Sequence, residues 1–193
     1  MGRKESGIYR WASHSLGIIF FALSSQYLIS SPIDHHQERF EDVALKIWEY
    51  AELGYLEEKS SSLLQQELKD SGFTIQSGVA GIPTAFIAEY NNGGPVLGIL
   101  GEFDALPGLS QQNVPFKTSE GLISANGHAC GHHLFGAASA WAVVAIKEWL
   151  EESGTPGTIR FYGTPAEEGG SGKVYIARDG YFDDVDIVLH WHP

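Results

Sequence analysis

Two segments near the start of the folded region carry apolar side chains at helical spacing. In the first, Glu and Lys occupy the face opposite an apolar stripe of Phe40, Val43, Ala44, Ile47, Trp48 and Ala51. This period predicts an amphipathic helix that begins near Asp34 and ends at Gly54. A second helix is predicted over residues 57–70, with Gly72 as its C-terminal stop and with its leucines facing inward: Leu63, Leu64 and Leu68.

The next segment is typical of a β-sheet. Three short runs predict strands, at residues 74–76, 84–90 (TAFIAEY) and 95–103 (PVLGILGEF). Asn91-Asn92-Gly93-Gly94 lies between the last two runs, and these residues tolerate the positive φ of a tight hairpin turn. The sheet is therefore expected to be at least partly antiparallel.

The second half of the chain alternates strands with helices. The polar segment 105–127, interrupted by proline and glycine, predicts a long functional loop. An alanine-rich helix is predicted over 133–150, with Leu134, Ala138, Trp141, Ala145 and Trp149 available for packing. A strand at 158–162, a loop, a helix through about Ala177 and a strand at 186–191 form a parallel crossover unit. The fold class is therefore α/β, with a mixed β-sheet flanked by helices.

Residues that could bind ligands or take part in catalysis follow the predicted strands. Ligands of α/β sheets gather at the carboxyl ends of the strands. Glu102 and Asp104, residues 164–168 and residues 190–193 are therefore expected at the same edge as the loop that carries Cys130.

Composition narrows the class of protein. The chain has 193 residues and a net charge of −12, which suits one acidic globular domain and argues against nucleic-acid binding. Residues 1–32 form an N-terminal extension, with basic residues before the apolar run 16–29 and Ser30-Ser31-Pro32 after it, in the order of a signal peptide. This order favours export to the periplasm or the cell exterior, with the cytoplasm as the alternative. The apolar run is shorter than the about 20 residues of a membrane span, so no stable span is expected.

The richest chemistry lies in the motif His128-Ala129-Cys130-Gly131-His132-His133, which holds three histidines and the only cysteine. Thiolate and imidazole both suit zinc and similar metals, and Gly131 permits a bend that turns both groups to one point. This favours a metal site that needs further ligands elsewhere. The alternative is a cysteine nucleophile, Cys130, beside His128 or His132. That alternative leaves the glutamates described next unexplained.

Three other motifs, two after the cysteine motif and one before it, could supply the further ligands or partners that it needs. Glu167 and Glu168 follow a strand, and adjacent carboxylates point in different directions, so that one can bind a metal while the other faces a water. His190 and His192 project to the same face of a strand. Asp104 either caps a turn or orients a metal-bound imidazole.

Four motifs together resemble the M20 metallopeptidases. GEFDALPG, HACGHH, TPAEEGGSGK and HWHP occur in the order and approximate spacing of the branch that contains aminobenzoyl-glutamate hydrolase and the N-acyl-amino-acid amidohydrolases. The similarity runs from about Asp34 to Pro193. It implies a zinc-peptidase-like catalytic domain with two divalent metal ions per site, zinc or manganese. It also implies hydrolysis of an amide bond in N-acyl amino acids or aminobenzoyl-glutamate-like substrates by a metal-activated water.

The resemblance assigns roles by motif position. The implied metal ligands are Cys130, His132, Glu168 and His192, with His190 as the alternative to His192. Glu167 is the implied general base, and Asp104 is implied to orient a metal-bound imidazole. His128 and His133 match motif positions without being ligands.

Family members are substantially longer than this chain. After the segment equivalent to Pro193 they carry a smaller lid and dimerisation domain, and then return to the catalytic domain with another metal-binding histidine. The resemblance therefore implies that residues 33–193 are the first part of a catalytic domain, that the substrate is a small N-acyl amino acid or dipeptide-like molecule, and that the full-length protein is a homodimer. The alternative function is a truncated, inactive metal-binding remnant of the same fold.

Overall fold

The computed structural model describes residues 34–118 and 125–192. The N-terminal extension 1–32 lies outside the described residues, so export stays a prediction. Part of the long loop, residues 119–124, and Pro193 also lie outside them. Within the described ranges, none of the helices combines the length and apolar character needed to span a membrane.

Four of the five α-helices match predicted segments with shifted ends, whereas the short helix α4 lies in a segment predicted to be a loop. They are α1 (Gln37–Tyr50), α2 (Glu58–Asp70), α3 (His132–Ser153), α4 (Glu167–Gly170) and α5 (Gly172–Arg178). The prediction that α1 ends at Gly54 was wrong, because Ala51 already adopts a left-handed conformation (φ 41°) that stops the helix. Gly72 does follow α2 with a positive φ of 89°, as its predicted C-terminal stop.

The sheet has five strands and is mixed. The strands are β1 (Thr74–Ser77), β2 (Phe86–Asn91), β3 (Val96–Gly101), β4 (Thr158–Gly163) and β5 (Ile187–Leu189). Their spatial order is β1-β2-β4-β3-β5. β2 runs antiparallel to both β1 and β4, whereas β3 runs parallel to β4 and β5. The predicted α/β class with a mixed sheet flanked by helices is confirmed.

The predicted hairpin between β2 and β3 was wrong, because β4 lies between these two strands. The turn residues bond to the start of β4 instead of closing a two-stranded ladder. The N–H of Asn92 donates to Gly157 O at 3.2 Å, and the N–H of Thr158 donates to Pro95 O at 2.9 Å. The turn signal was local and correct, but it carried no information about a strand inserted more than 60 residues later.

The two faces of the sheet bury separate apolar cores. The larger core packs α1, α2 and α3 against one face and includes Phe40, Ile47, Leu64, Phe86, Val143 and Phe161. The smaller core covers the other face and includes Val79, Leu100, Tyr162 and Ile176. Phe161 and Tyr162 are neighbours in β4 and belong to different cores, as the twofold period of a strand requires.

The prediction for the packing face of α3 is correct at three positions and wrong at two. Ala145 is buried, and Trp141 and Trp149 pack against the larger core, but Leu134 is 51% exposed and Ala138 is also exposed. Alanine on every side of the helix blurred its apolar stripe. Gly136 sets the packing distance, since a Cβ there would lie 2.7 Å from Glu102 O.

The parallel strands end together. Gly101 pairs with Gly163, and Ile99 pairs with Leu189, so β3, β4 and β5 finish at one edge of the sheet. Glu102, Thr164 and His190 are the next residues along the chain. The predicted gathering of polar residues at this edge is therefore present.

Candidate metal centre

Two backbone turns in left-handed conformations aim side chains at the sheet edge. Gly131 has a φ of 75° and places His132 as the first residue of α3. Ala166 has a φ of 57° and places Glu167 and Glu168 at the start of α4. The buried carboxylate of Glu57 accepts a hydrogen bond from Ala166 N at 2.8 Å and so holds the second turn.

His132 lies at the middle of the centre and is fully buried. Its Nδ1 donates to Asp104 Oδ1 at 2.9 Å and also lies 3.1 Å from Asp104 O. The other oxygen of the Asp104 carboxylate accepts a hydrogen bond from Glu168 N at 3.0 Å. Asp104 therefore ties α3 to α4, and it leaves Nε2 of His132 as the atom that faces the remaining polar side chains.

Two overlapping groups of side chains around His132 could hold metal ions. Within each group, one ligand atom per residue lies within 4.8 Å of all the others. One group contains Cys130, His132 and Glu168, and the other contains Glu102, His132, Glu167 and His192. Sulfur, imidazole and carboxylate donors suit zinc and related transition metals.

Buried atoms without hydrogen-bond partners support this fit. Among the described residues, Glu168 Oε1 and Glu102 Oε2 are buried and accept no hydrogen bond of normal geometry, although Glu102 Oε2 lies 2.9 Å from His132 Nε2. A buried polar atom of this kind is costly unless something satisfies it. A cation held by each group would supply a partner for the carboxylate of that group.

The structure brings together the residues that the motifs predict to be metal ligands and the general base. Nε2 of His132 lies 3.3 Å from His192 Nε2, 3.8 Å from Glu167 Oε2 and 4.0 Å from Glu168 Oε1. His190 belongs to neither group among the described residues, and its Nε2 lies 3.2 Å from Glu102 Oε1. The alternative choice of His190 over His192 therefore has less geometric support.

Glu102 is the site residue to which sequence reasoning gave no role. Its side chain is fully buried and lies against His132, Lys173, His190 and His192. The available signal was its place directly after an apolar strand at the ligand edge. The partners that define its environment lie between 30 and 90 residues further along the chain, so no local pattern reveals them.

Opposite charges at the centre shift the pKa of two groups strongly. Burial alone would raise the pKa of Glu102, but the charged contacts with His132 and Lys173 outweigh it and lower the pKa to about 2. Burial would likewise lower the pKa of His132, but Asp104 and Glu102 raise it to about 10. Without a metal, His132 is therefore the cation that the surrounding carboxylates attract.

Cys130 is a thiol at neutral pH in this environment. Its interaction with the Glu168 carboxylate, together with burial, raises the pKa of Cys130 to about 11. A cysteine nucleophile requires the thiolate, which nearby positive charge favours and nearby carboxylates disfavour. The site therefore argues against the cysteine-nucleophile alternative. A coordinating metal ion would in contrast deprotonate the thiol.

His128 and His133 occupy a different environment from His132. They pack against Trp48, with ring centroids 6.4 Å and 4.8 Å from it. Burial lowers the pKa of each to about 4, so both are neutral at pH 7. Nε2 of His128 donates to Ile47 O at 3.0 Å, which is a structural role.

A cleft of about 390 Å³ opens beside the centre. Glu168 and Asp104 lie at its wall, and Tyr55, Leu106 and Pro107 supply apolar surface. The hydroxyl of Tyr55 donates to Gly170 O and links the cleft wall to α4. The cleft is large enough for a small molecule next to the carboxylates.

Comparisons with known proteins agree with the geometry. The model of peptidase family M20/M25/M40 matches residues 98–193. A p-aminobenzoyl-glutamate hydrolase subunit of Escherichia coli (strain K12) is 47% identical over 165 residues, which cover 86% of this chain and 34% of that protein. The human Xaa-Arg dipeptidase is 33% identical over 178 residues, covering 83% of this chain and 37% of that protein. The chain thus spans about a third of the length of these relatives.

Solved structures show the same fold. A dinuclear metal-binding peptidase from the M20 family of Bacillus subtilis matches with a TM-score of 0.68 and 26% identity, over 82% of this chain and 43% of that one. An aminobenzoyl-glutamate utilization protein from Klebsiella pneumoniae matches in fold with a TM-score of 0.61 and 17% identity, over 85% of this chain and 45% of that one. By its motifs, its sequence relatives and its fold, the chain belongs to peptidase family M20/M25/M40.

Proposed function

We propose that the protein is a metal-dependent amidohydrolase that cleaves an amide bond in N-acyl amino acids or aminobenzoyl-glutamate-like substrates. The observation that carries the proposal is the pair of overlapping ligand groups around His132, with the cleft beside them. The substrate class is supported by the 47% identity to a p-aminobenzoyl-glutamate hydrolase subunit.

Cys130, His132, Glu168 and His192 are the proposed ligands of two divalent ions, either zinc or manganese. When bound, such ions lower the pKa of a water from about 15.7 to around 7 and polarise a substrate carbonyl. Asp104 keeps the proton of His132 on Nδ1, so that Nε2 presents its lone pair to the centre.

Glu167 is the proposed general base. Its side chain is 34% exposed, compared with 19% for Glu168, so it is the more accessible member of the pair. Glu167 is itself a member of one ligand group, and its Oε2 lies 3.8 Å from His132 Nε2. From this position it takes a proton from the attacking water and delivers it to the leaving amine. Such a role contributes roughly 10²–10⁴-fold to the rate.

Replacing the base separates catalysis from metal binding. In Glu167→Gln, we expect the bound metal to be retained and turnover to fall by about 10²–10⁴-fold, since the amide cannot accept the proton. Metal content by mass spectrometry and hydrolysis of N-acyl amino acids measure the two effects. Glu58→Gln, on the exposed face of α2, is the matched control. Normal turnover in Glu167→Gln excludes it as the base.

A combined metal and activity assay separates the alternatives. Bound metal with hydrolysis of N-acyl or aminobenzoyl amino acids supports the proposal. Bound metal without hydrolysis supports the alternative of an inactive metal-binding remnant. Hydrolysis that resists chelators and stops on thiol alkylation supports the cysteine nucleophile instead.

We further propose that the protein forms an oligomer. The Escherichia coli relative is by name one subunit of a hydrolase, and the resemblance to M20 metallopeptidases favours a homodimer. Light scattering on the protein measures its oligomeric state. A monomer at micromolar concentration contradicts this part of the proposal.

A further inference from the structure

The carboxylate of Glu102 is fully buried at the end of β3, beside the proposed ligands. A buried charge is costly unless it is paired or coordinates a metal. The two oxygens of this carboxylate have different surroundings, and the difference indicates what each of them does.

One oxygen of the Glu102 carboxylate, Oε1, has two partners. It forms an ion pair with the ammonium group of Lys173, and it lies 3.2 Å from His190 Nε2. These contacts fix the orientation of the carboxylate and point its second oxygen away from Lys173.

The second oxygen, Oε2, is buried and accepts no hydrogen bond of normal geometry from the described residues. It lies 2.9 Å from His132 Nε2 and 3.6 Å from His192 Nε2, and these two nitrogens are 3.3 Å apart. Ligand atoms at roughly 2.0–2.2 Å from a common zinc ion, at ligand–metal–ligand angles of about 90–110°, are themselves about 2.8–3.6 Å apart. The three atoms therefore have the mutual spacing of ligands around one small cation.

We propose that Glu102 is a further metal ligand, through Oε2, of the ion that His132 and His192 hold, while the ammonium group of Lys173 pairs with Oε1 and competes with that ion for the negative charge of the carboxylate. This inference rests on the proposed metal centre. It predicts opposite effects for the two partners of one ion pair. Loss of the carboxylate removes a ligand, whereas loss of the ammonium group removes a positive charge that repels the metal ion.

A purely structural ion pair predicts a different outcome. In that case Glu102→Gln and Lys173→Met break the same contact, and they change metal binding in the same direction. The sign of the two effects therefore distinguishes a metal ligand that shares its charge with a neighbouring cation from an ordinary buried ion pair.

The test is zinc binding to the metal-free chain, measured by competition with a chromophoric chelator, with ions per chain counted by mass spectrometry. We expect Glu102→Gln to weaken binding of one ion by at least about tenfold. We expect Lys173→Met to tighten it by a few-fold. Glu58→Gln and Lys69→Met are exposed controls of the same chemistry, and they should bind as the wild type does.

Unchanged binding in Glu102→Gln, or weaker binding in Lys173→Met, overturns the inference. If circular dichroism shows that Glu102→Gln does not fold, Glu102→Asp replaces it. That variant keeps the charge and withdraws the oxygens by one methylene, so it should also weaken binding, and wild-type binding in it overturns the inference. A wild-type chain that binds no zinc defeats the proposed function itself. A wild-type chain that binds two ions, with Glu102→Gln unaffected, defeats only the role of Glu102.

Discussion

Adjacent histidines in one short motif have opposite environments. His132 faces Asp104, Glu102 and the Glu167–Glu168 pair, and its pKa is raised to about 10. His133, the next residue, packs edge-on against Trp48, and burial lowers its pKa to about 4. The helical turn at the start of α3 separates the two side chains onto different faces.

This contrast defines a carboxylate side and an aromatic side of the motif. The carboxylate side gathers charge, donor atoms and a cleft, whereas the aromatic side completes the packing between α1 and α3. A high density of histidine therefore marks a functional segment without identifying which histidine acts. The neighbours that decide lie on other elements: Asp104 after β3 and Trp48 on α1.

The largest effect on metal content is expected when His132 and His133 are replaced one at a time. In His132→Asn, the amide nitrogen can still donate to Asp104, but the atom equivalent to Nε2 is missing. Because Nε2 of His132 is a candidate ligand in both groups and can bind a single ion, we expect metal content to fall by about one ion per chain. His133→Asn should retain the wild-type metal content, because its ring faces Trp48. Equal metal loss in both variants would remove the distinction between the two sides.

A smaller effect on metal binding is expected when the carboxylate that orients His132 is replaced by an amide. Asp104 accepts from His132 Nδ1 with one oxygen and from Glu168 N with the other. In Asp104→Asn only one oxygen remains, and the charge is lost. We expect metal affinity to fall by about 10–100-fold, as is typical for partners of metal-bound histidine. Titration with a competing chelator measures this, and Asp70→Asn, on the exposed end of α2, is the control.

The smallest change in function is expected on the aromatic side. There the measured quantity is the pH dependence of the free energy of unfolding. Burial lowers the pKa of His128 to about 4, below its usual value of 6.5. The unfolded chain therefore binds the extra proton first, and the stability that His128 contributes is present above pH 6.5 and is lost as pH falls toward 4. The slope reaches up to roughly 1.4 kcal/mol per pH unit.

His128→Gln tests this slope, because its amide nitrogen can replace Nε2 as the donor to Ile47 O. Unfolding by urea between pH 4 and 7, in the presence of a chelator, should show a flatter pH dependence in the variant. Metal binding at pH 7 should be unchanged. An identical slope in the variant and the wild type contradicts the assignment.

Local patterns predicted much of the fold. The stripe Phe40, Val43, Ala44 and Ile47 identified α1, and apolar runs identified each strand of the sheet. The order of the strands was not predictable from the same evidence. The Asn-Asn-Gly-Gly turn favoured a hairpin, but the side chains and backbone of β4 fill the space between β2 and β3.

The residues of the candidate metal centre likewise fall into those that the sequence identifies and one that only the fold reveals. Cys130 and His132 are recognisable because they are close in sequence, and Glu167 and Glu168 because they adjoin each other. Glu102 is an ordinary strand-end glutamate in the sequence. Its burial depends on Lys173 and on three histidines from two other segments, so only the folded chain reveals it.

The most direct measurement of the central claim is X-ray absorption at the zinc edge of the zinc-loaded chain. A centre that includes Cys130 predicts a sulfur scatterer at about 2.3 Å together with nitrogen and oxygen at about 2.0–2.2 Å. Cys130→Ser should lose the sulfur signal and keep the lighter ligands. A wild-type spectrum that contains only nitrogen and oxygen ligands would contradict the proposed metal centre.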